Sequence, residues 1–294
     1  MRGRPDFRWP GGARLAVYIG FNIEHFAFGE GLGAALVPPV GPVSPAPDVL
    51  NHSWREWGNR VGVWRCLDLF DELALPTAAI VNTALYDHCP EVVHAFAARG
   101  DEIVAHGHTN AERQGTMGEA EERALIGHCR DRIAREHGKP PAGWLSPWIS
   151  ESRVTPDLLA EAGYRYTLNW CHDDQPTRMT TRGGEGLWAV PYPQELNDIP
   201  MVIGRLMDGK DFAQMIVDQF DELLALARRV VNPQSTVMGI ALHPYIVGQP
   251  YRLRHLRRAL QHIAAERAGG DVWFTTPGAI AAAILTSGPS IEQH

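Results

Sequence analysis

Short apolar runs alternate with longer stretches of helical periodicity along the whole chain. An apolar run of about four to eight residues is typical of a buried strand, and apolar positions that recur every three or four residues or so are typical of an amphipathic helix. Alternation of the two predicts parallel strands joined by helices. We predict strands at 14–21, 76–81, 102–105, 143–145, 164–168, 187–190, 235–242 and 272–274. We predict helices at 58–73, 90–99, 116–137, 155–163, 211–231 and 253–265, and a last helix that begins at Pro277.

These seven or eight strand–helix units favour a distorted (β/α) barrel of the α/β class over an open doubly wound sheet. No Gly-x-Gly-x-x-Gly pattern follows the first strand, so a dinucleotide-binding sheet has little support. We find no linker and no internal repeat, and we expect a single domain over residues 1–294. The Gly-, Pro- and Ala-rich segment 28–50 is too long for an ordinary connection, which predicts a long loop at the active site.

Charge and hydropathy exclude several classes of partner. The chain has 294 residues, 45% of them hydrophobic, and a net charge of -7. This charge repels polyanions, so we expect no nucleic-acid partner. No apolar stretch approaches the roughly 20 residues that a membrane helix needs, and residues 1–13 lack the apolar centre of an export signal. We therefore expect a cytoplasmic protein with no membrane partner and with reduced cysteines.

Polar residues follow nearly every predicted strand at its carboxyl end. In a barrel of parallel strands these ends share one rim, where active sites form. His243 stands where a turn residue would be ordinary, which makes it a candidate acid or base. His106 follows the third strand, and Glu24, after the first, is a charge that needs a partner or a task. The further candidates are Asn22, Asn110, Trp148, Trp170, Asn197 and Asp198.

Some candidates have two interpretations. Trp148 and Trp170 suit the walls of a site for a flat substrate, but tryptophan also serves plain packing. Arg60 lies at the start of a predicted helix, where it is a candidate ligand for a carbonyl or carboxylate oxygen; a surface ion pair is the alternative. His108 is so close to His106 that it is either a second site residue or a side chain that points the opposite way.

Six motifs occur in order along the chain: Asn22-Ile23-Glu24, Gly58 to Arg65, Ala105 to Asn110, Asp173 to Pro176, Asn197 to Pro200 and His243-Pro244. Together they resemble the polysaccharide-deacetylase (NodB-like) superfamily over nearly the whole chain. They resemble above all its branch of cofactor-independent allantoinases, cyclic imide hydrolases and a few peptidoglycan deacetylases. The resemblance implies a NodB-like barrel and a hydrolase that cleaves carbon–nitrogen bonds other than peptide bonds.

The resemblance also implies roles position by position. Glycan deacetylases of the superfamily bear a catalytic aspartate at the position of Asn22, and they hold a divalent metal through one acid and two histidines. Here Glu24 stands for the acid and His106 for the first histidine, but the second falls on Asn110, an amide that binds zinc poorly. We therefore expect that no cofactor is required. The alternative is a zinc ion held by Glu24, His106 and His108.

The branch that also lacks the catalytic aspartate and the second histidine hydrolyses small flat rings. The resemblance therefore implies a small-molecule substrate: a cyclic imide, amide or ureide. Relatives also imply a homo-oligomer, a dimer or a tetramer. One alternative function is metal-dependent N-deacetylation of an amino sugar or peptidoglycan, and another is a catalytically inactive barrel used for binding. We expect Glu24, His106 and His243 to be catalytic. The residues expected to bind the substrate are Asn22, Arg60, Asn110, Trp148, Trp170, Asn197 and Asp198.

Overall fold

The protein is described by a computed structural model that covers residues 6–29, 47–111 and 113–287. A curled, mostly parallel sheet forms its centre, with helices packed on its outer face, and this confirms the predicted α/β barrel-like class. All eight predicted strands form, and β6 is an addition. The strands are β1 (Leu15–Ile23), β2 (Thr77–Val81), β3 (Glu102–Ala105), β4 (Gly143–Trp144), β5 (Tyr166–Thr167), β6 (Thr177–Met179), β7 (Leu187–Ala189), β8 (Thr236–Leu242) and β9 (Val272–Phe274).

The sheet has the strand order β6-β7-β5-β4-β3-β2-β1-β8. One edge of β1 pairs with β8, and the opposite edge is shared by β9 at its beginning and β2 at its end. Only β6 runs antiparallel, against β7, within the described chain. The far side closes through irregular backbone: the Ala241 amide of β8 donates to the Leu196 carbonyl at 2.8 Å, and the Val237 amide donates to the Asp174 carbonyl at 2.8 Å. The result is a distorted barrel.

Side chains alternate between the two faces of each strand, and this alternation directs the key residues into the barrel. Ala16 and Tyr18 of β1 belong to the apolar cluster inside the sheet, whereas Leu15, Val17 and Ile19 pack against the helices outside. Glu24 continues the inward set of β1. By the same count His106 continues the inward set of β3, and His243 continues that of β8. Three separate strands therefore present these residues at one rim.

The helices are α1 (Val49–Trp57), α2 (Val63–Glu72), α3 (Leu85–His88), α4 (Pro90–Arg99), α5 (Glu119–His137), α6 (Thr155–Glu161), α7 (Gly209–Ala227), α8 (Pro244–Val247), α9 (Pro250–Ala265) and α10 (Pro277–Ser287). The predicted helix 58–73 is α2 together with a π-helical turn, Gly58–Gly62, that joins it to α1. Glycine suits this turn because it packs directly on α8: a Cβ atom on Gly58 would lie 2.7 Å from the Tyr245 amide nitrogen.

Three further expectations need comment. The head of α5 is Gly118 without a side-chain cap, so the helix does not begin at residue 116; the Thr116 hydroxyl donates instead to the Arg113 carbonyl. The predicted loop 28–50 ends earlier, because Val49 already belongs to α1, and residues 30–46 of that loop lie outside the described residues. In the part of the chain that the structure covers, none of the helices combines the length and the apolarity that crossing a bilayer requires.

Candidate active site

Glu24, His106 and His243 meet at the rim of the barrel. The Glu24 carboxylate lies between the two imidazoles: its Oε1 atom is 3.4 Å from His106 Nε2 and 3.6 Å from His243 Nε2. All three residues are buried. Since 219 positions separate the first from the last in the sequence, their meeting is a product of the parallel sheet and its inward alternation. The arrangement forms a compact acid–base cluster.

Asp198 fixes one end of this cluster. The His243 Nδ1–H group donates to Asp198 Oδ1 at 2.6 Å, and the His243 backbone amide donates to Asp198 Oδ2 at 2.8 Å. The two bonds orient the ring and direct Nε2 towards Glu24 and the cavity. Burial alone lowers the pKa of His243, but the carboxylates of Asp198 and Glu24 outweigh it and raise that pKa to about 9. His243 is therefore an imidazolium at neutral pH, able to give up a proton from Nε2.

His106 is oriented from the other side. Its Nδ1 atom lies 2.7 Å from the Leu145 carbonyl oxygen, which can only accept a hydrogen bond, so Nδ1 carries the proton. Its Nε2 atom lies 3.4 Å from Glu24 Oε1, and this contact is a hydrogen bond when Nε2 also carries a proton. With Nδ1 held by the carbonyl, Nε2 is the ring nitrogen that can exchange a proton with the cavity.

A hydrogen bond fixes the backbone of Glu24, and its side chain lines the cavity. The Asn59 Nδ2 group, from the π-helical turn, donates to the Glu24 carbonyl at 2.8 Å. Burial raises the pKa of the Glu24 carboxyl, but His243 and His106 more than reverse this and hold the pKa well below its usual value. Its Oε2 atom is buried and has no hydrogen-bond partner among the described residues. A carboxylate oxygen of this kind is ready to accept a hydrogen bond from a ligand or water.

A cavity of about 230 Å³ opens directly over the cluster. Among its polar lining residues, Asn22 exchanges hydrogen bonds with Tyr192 at 2.9 and 3.3 Å. The remaining wall is largely apolar and aromatic, which favours a small flat ligand. The wall residues are Phe26, Trp54, Leu145, Trp148, Ile149, Ile199, Pro200, Ile203 and Tyr245.

Four of the predicted substrate-binding residues line this cavity: Asn22, Asn110, Trp148 and Asn197. The Trp148 indole N–H donates to the Asn110 carbonyl at 3.1 Å, so these two residues form one continuous wall. Asn197 accepts the Ile199 amide at its Oδ1 atom, which leaves its Nδ2 group as the donor for a ligand. Asp198 does not line the cavity; it lies behind His243 and bonds that ring, so the structure places it in contact with His243 rather than with the cavity.

Three other predicted residues lie outside the cavity. Trp170 is 43% exposed, and its indole N–H donates to Glu151 at 2.9 Å. Arg60 is exposed, because the π-helical turn rotates it outward, and the arginine that lines the cavity is Arg55 instead. His108 turns away because Gly107 adopts a φ of 66° and breaks the alternation; its Nδ1 atom pairs with the Thr83 hydroxyl at 3.0 Å.

The donor set decides whether a metal fits. Glu24 and His106 offer one oxygen and one nitrogen, but the alternative third ligand, His108, bonds Thr83 on another side. Asn110 is also committed, since its Oδ1 atom accepts Asn82 Nδ2 at 3.0 Å. Among the residues that the structure covers, no group of three or more His, Cys, Asp and Glu side chains is placed to hold a metal ion. The residues present do not fit the acid-and-two-histidine site of the glycan deacetylases.

Arg55, Tyr192 and Tyr245 also line the cavity, although none of them is among the predicted substrate-binding residues. Tyr192 follows β7 with inward alternation, a signal that could have identified it. Arg55 and Tyr245 reach the cavity from α1 and α8, two short helices that the prediction did not contain.

Comparisons with known proteins show which proteins this chain resembles. The family model of polysaccharide deacetylases matches residues 56–167. A Schizosaccharomyces pombe protein named for the polysaccharide deacetylases is 24% identical over 303 residues, 94% of this chain and 91% of that protein. A peptidoglycan deacetylase of Helicobacter pylori is 24% identical over 251 residues, 74% of this chain and 82% of that protein. The crystal structure of Puue allantoinase superposes with a TM-score of 0.83 at 27% identity, covering 97% of this chain and 95% of that one.

The curled sheet, the acid and histidines at its rim and these likenesses together define a barrel of the NodB type. The chain resembles the polysaccharide deacetylases over nearly its whole length, as the order of its motifs predicts. Its likeness to an allantoinase structure over almost its full length fits the branch that those motifs indicate.

Proposed function

We propose that this protein is a hydrolase that opens a carbon–nitrogen bond in a small ring, a cyclic imide, amide or ureide, with its own acid and base. The observation that carries the proposal is the unbroken series of contacts from Asp198 through His243 and Glu24 to His106 beneath the cavity. It joins a proton donor, a bridging carboxylate and a proton acceptor in one place. The likeness to an allantoinase structure supports the same chemistry.

The cavity selects the size and shape of the substrate. Sites for drug-sized ligands usually measure about 300–1,000 Å³, and at about 230 Å³ this cavity suits a single small ring. Trp148 and Tyr245 provide aromatic surface for a planar ring, and Asn197 Nδ2 is placed to donate to a ring carbonyl. A ring carbonyl of an imide is more electrophilic than an acetamide, so it needs less assistance from a Lewis acid.

The protons balance through the two histidines. His106 Nε2 takes one proton from the attacking water as its oxygen bonds to the ring carbonyl carbon. His243 Nε2–H then protonates the ring nitrogen, the carbon–nitrogen bond breaks, and the products are a carboxylic acid and a free amide. Glu24 lies within 3.4 and 3.6 Å of both Nε2 atoms and returns the proton from His106 to His243. The new acid ionises into solvent, and the cluster regains its starting state.

A panel of small rings and amino sugars tests the proposal. Succinimide, glutarimide, hydantoin, allantoin and N-acetylglucosamine oligomers are incubated with the enzyme, and ring-opened product and acetate are both quantified. Opening of at least one ring without release of acetate supports ring hydrolysis. Acetate release with every ring intact contradicts it and favours N-deacetylation, the activity that the family model and the Helicobacter pylori relative suggest.

A further inference from the structure

Arg55 is a buried cation in the wall of the cavity that the ring-opening chemistry does not use. The residue is only 4% exposed, and its Nε and Nη1 atoms have no hydrogen-bond partner within the described chain. No carboxylate among the described residues forms an ion pair with it, although it lines the same cavity as Glu24. Leaving a guanidinium buried and unpaired costs stability, so its retention calls for a ligand that pairs with it.

Two aromatic rings hold the guanidinium in position. Its central carbon lies 3.6 Å from the centroid of the Phe26 ring and 5.4 Å from that of the Tyr245 ring. Both rings line the cavity, and both offer a π face to the cation. The flat fork of N–H groups is thereby fixed before any ligand arrives, which is the geometry that recognises a carboxylate through two parallel hydrogen bonds.

We infer that Arg55 binds a carboxylate substituent on the substrate, so that the preferred substrates are ring amides that carry an anionic group. The cavity then offers one ligand two buried groups of opposite charge that lack partners among the described residues. Arg55 binds the carboxylate, and Glu24 Oε2 accepts a hydrogen bond from a ring N–H or from the attacking water. This orientation distinguishes the ends of an otherwise compact ring. The identity of the ring as the reacting group rests on the function proposed above, whereas the anion site stands on Arg55 alone.

Two pairs of rings differ only in the acidic substituent: dihydrouracil with dihydroorotate, and hydantoin with hydantoin-5-acetate. For each pair kcat/KM is measured with the wild type, R55M and R55K, and with R60M as a matched control on the exposed arginine of the neighbouring turn. We expect the wild type to prefer an acidic ring, and R55M to lower that preference by about 10- to 100-fold, the range for a charge-assisted bond. R55K keeps the charge but lacks the forked N–H groups, so its preference for the acidic ring should lie between those of the wild type and R55M. The preference of R60M should equal that of the wild type.

Calorimetric binding of the same rings to wild type and R55M keeps the two hypotheses apart. If the wild type binds an acidic ring more tightly than the neutral one and R55M loses this difference, the anion site is supported. This holds even where no ring is opened, in which case only the proposed hydrolysis fails. Equal binding of acidic and neutral rings, or an equal loss for both in R55M, overturns the anion site while ring opening can still hold. Thermal unfolding of R55M is expected at or above the wild-type temperature; a marked fall makes Arg55 structural and also overturns the inference.

Discussion

His243 Nδ1 and Asp198 Oδ1 lie 2.6 Å apart, and both side chains are buried behind the cavity. The same carboxylate also accepts the His243 backbone amide, so the ring is held in one orientation. Nε2 is consequently the only ring nitrogen that faces Glu24 and the substrate. The proposed acid role of His243 depends on this pair, because a rotated ring would place no proton near the ring nitrogen of the proposed substrate.

Replacement of Asp198 by Asn preserves the shape of the side chain but removes its charge. We expect kcat for ring opening to fall about a hundredfold or more, the usual contribution of an oriented acid or base. The pKa of His243 should also fall from about 9 towards its ordinary value, since the carboxylate of Asp198 raises it. A pH profile of D198N measures both effects. A rate near that of the wild type, with an unmoved profile, would make the contact irrelevant to catalysis.

The pH dependence of the wild type follows from the acid role of His243. Its pKa is raised to about 9, so the protonated form predominates below that pH and disappears above it. We expect kcat/KM to be insensitive to His243 near neutrality and to decline about tenfold per pH unit above pH 9 or so. The profile is measured with a ring that the enzyme opens in the substrate panel. A rate that rises through pH 9 would show that the neutral ring of His243 is the active form.

Two tryptophans allow the cavity wall and the outer surface to be tested separately. Trp148 lines the cavity, whereas Trp170 is 43% exposed and bonds Glu151. We expect W148A to lower kcat/KM by roughly tenfold, mainly through KM, because a stacking wall is lost. W170A is the matched control and should remain near the wild-type value. Equal losses in the two variants would place the substrate outside this cavity.

Gly62 allows the π-helical turn to touch α8 beside His243. A Cβ atom there would collide with the Pro244 carbonyl oxygen, a backbone group that cannot move aside. We expect G62A to reduce the free energy of unfolding by about 1–3 kcal/mol, as overpacking does. Gly127 in α5 is the control, since a Cβ atom there meets nothing within 4 Å. Urea denaturation should show G127A slightly more stable than the wild type; a G62A curve that overlaps the wild type would refute the close contact.

The meeting of Glu24, His106 and His243 at one rim could be predicted from the sequence because its signals are local. Glu24, His106 and His243 each follow an apolar strand at an inward position, and parallel strands bring such positions together whatever their separation in the chain. The same rule fails where the backbone departs from a strand. His108 would share the inward face with His106, but the positive φ of Gly107 turns the chain between them.

The remaining differences between prediction and structure come from tertiary contacts and from helices without a clear pattern. Arg60 is a candidate because it lies at the start of the helix predicted at 58–73, but it belongs to a π-helical turn, and such a turn has no signature that periodicity detects. The bond between Asp198 and His243 joins residues 45 positions apart, so no local signal reveals it. The sequence therefore predicts Asp198 only as a substrate-binding residue. β6 was missed because three residues are too few for an alternation to be recognised.

The most direct test of the central hypothesis is the rate of ring opening after exhaustive chelation, with metal content measured on the same sample. The cluster of Asp198, His243, Glu24 and His106 supplies acid and base from the chain itself. We therefore expect kcat/KM for the best ring substrate to stay within about twofold of the untreated enzyme. Loss of activity to a tenth or so, restored by added zinc, would contradict it and show that a metal performs the chemistry assigned to these side chains.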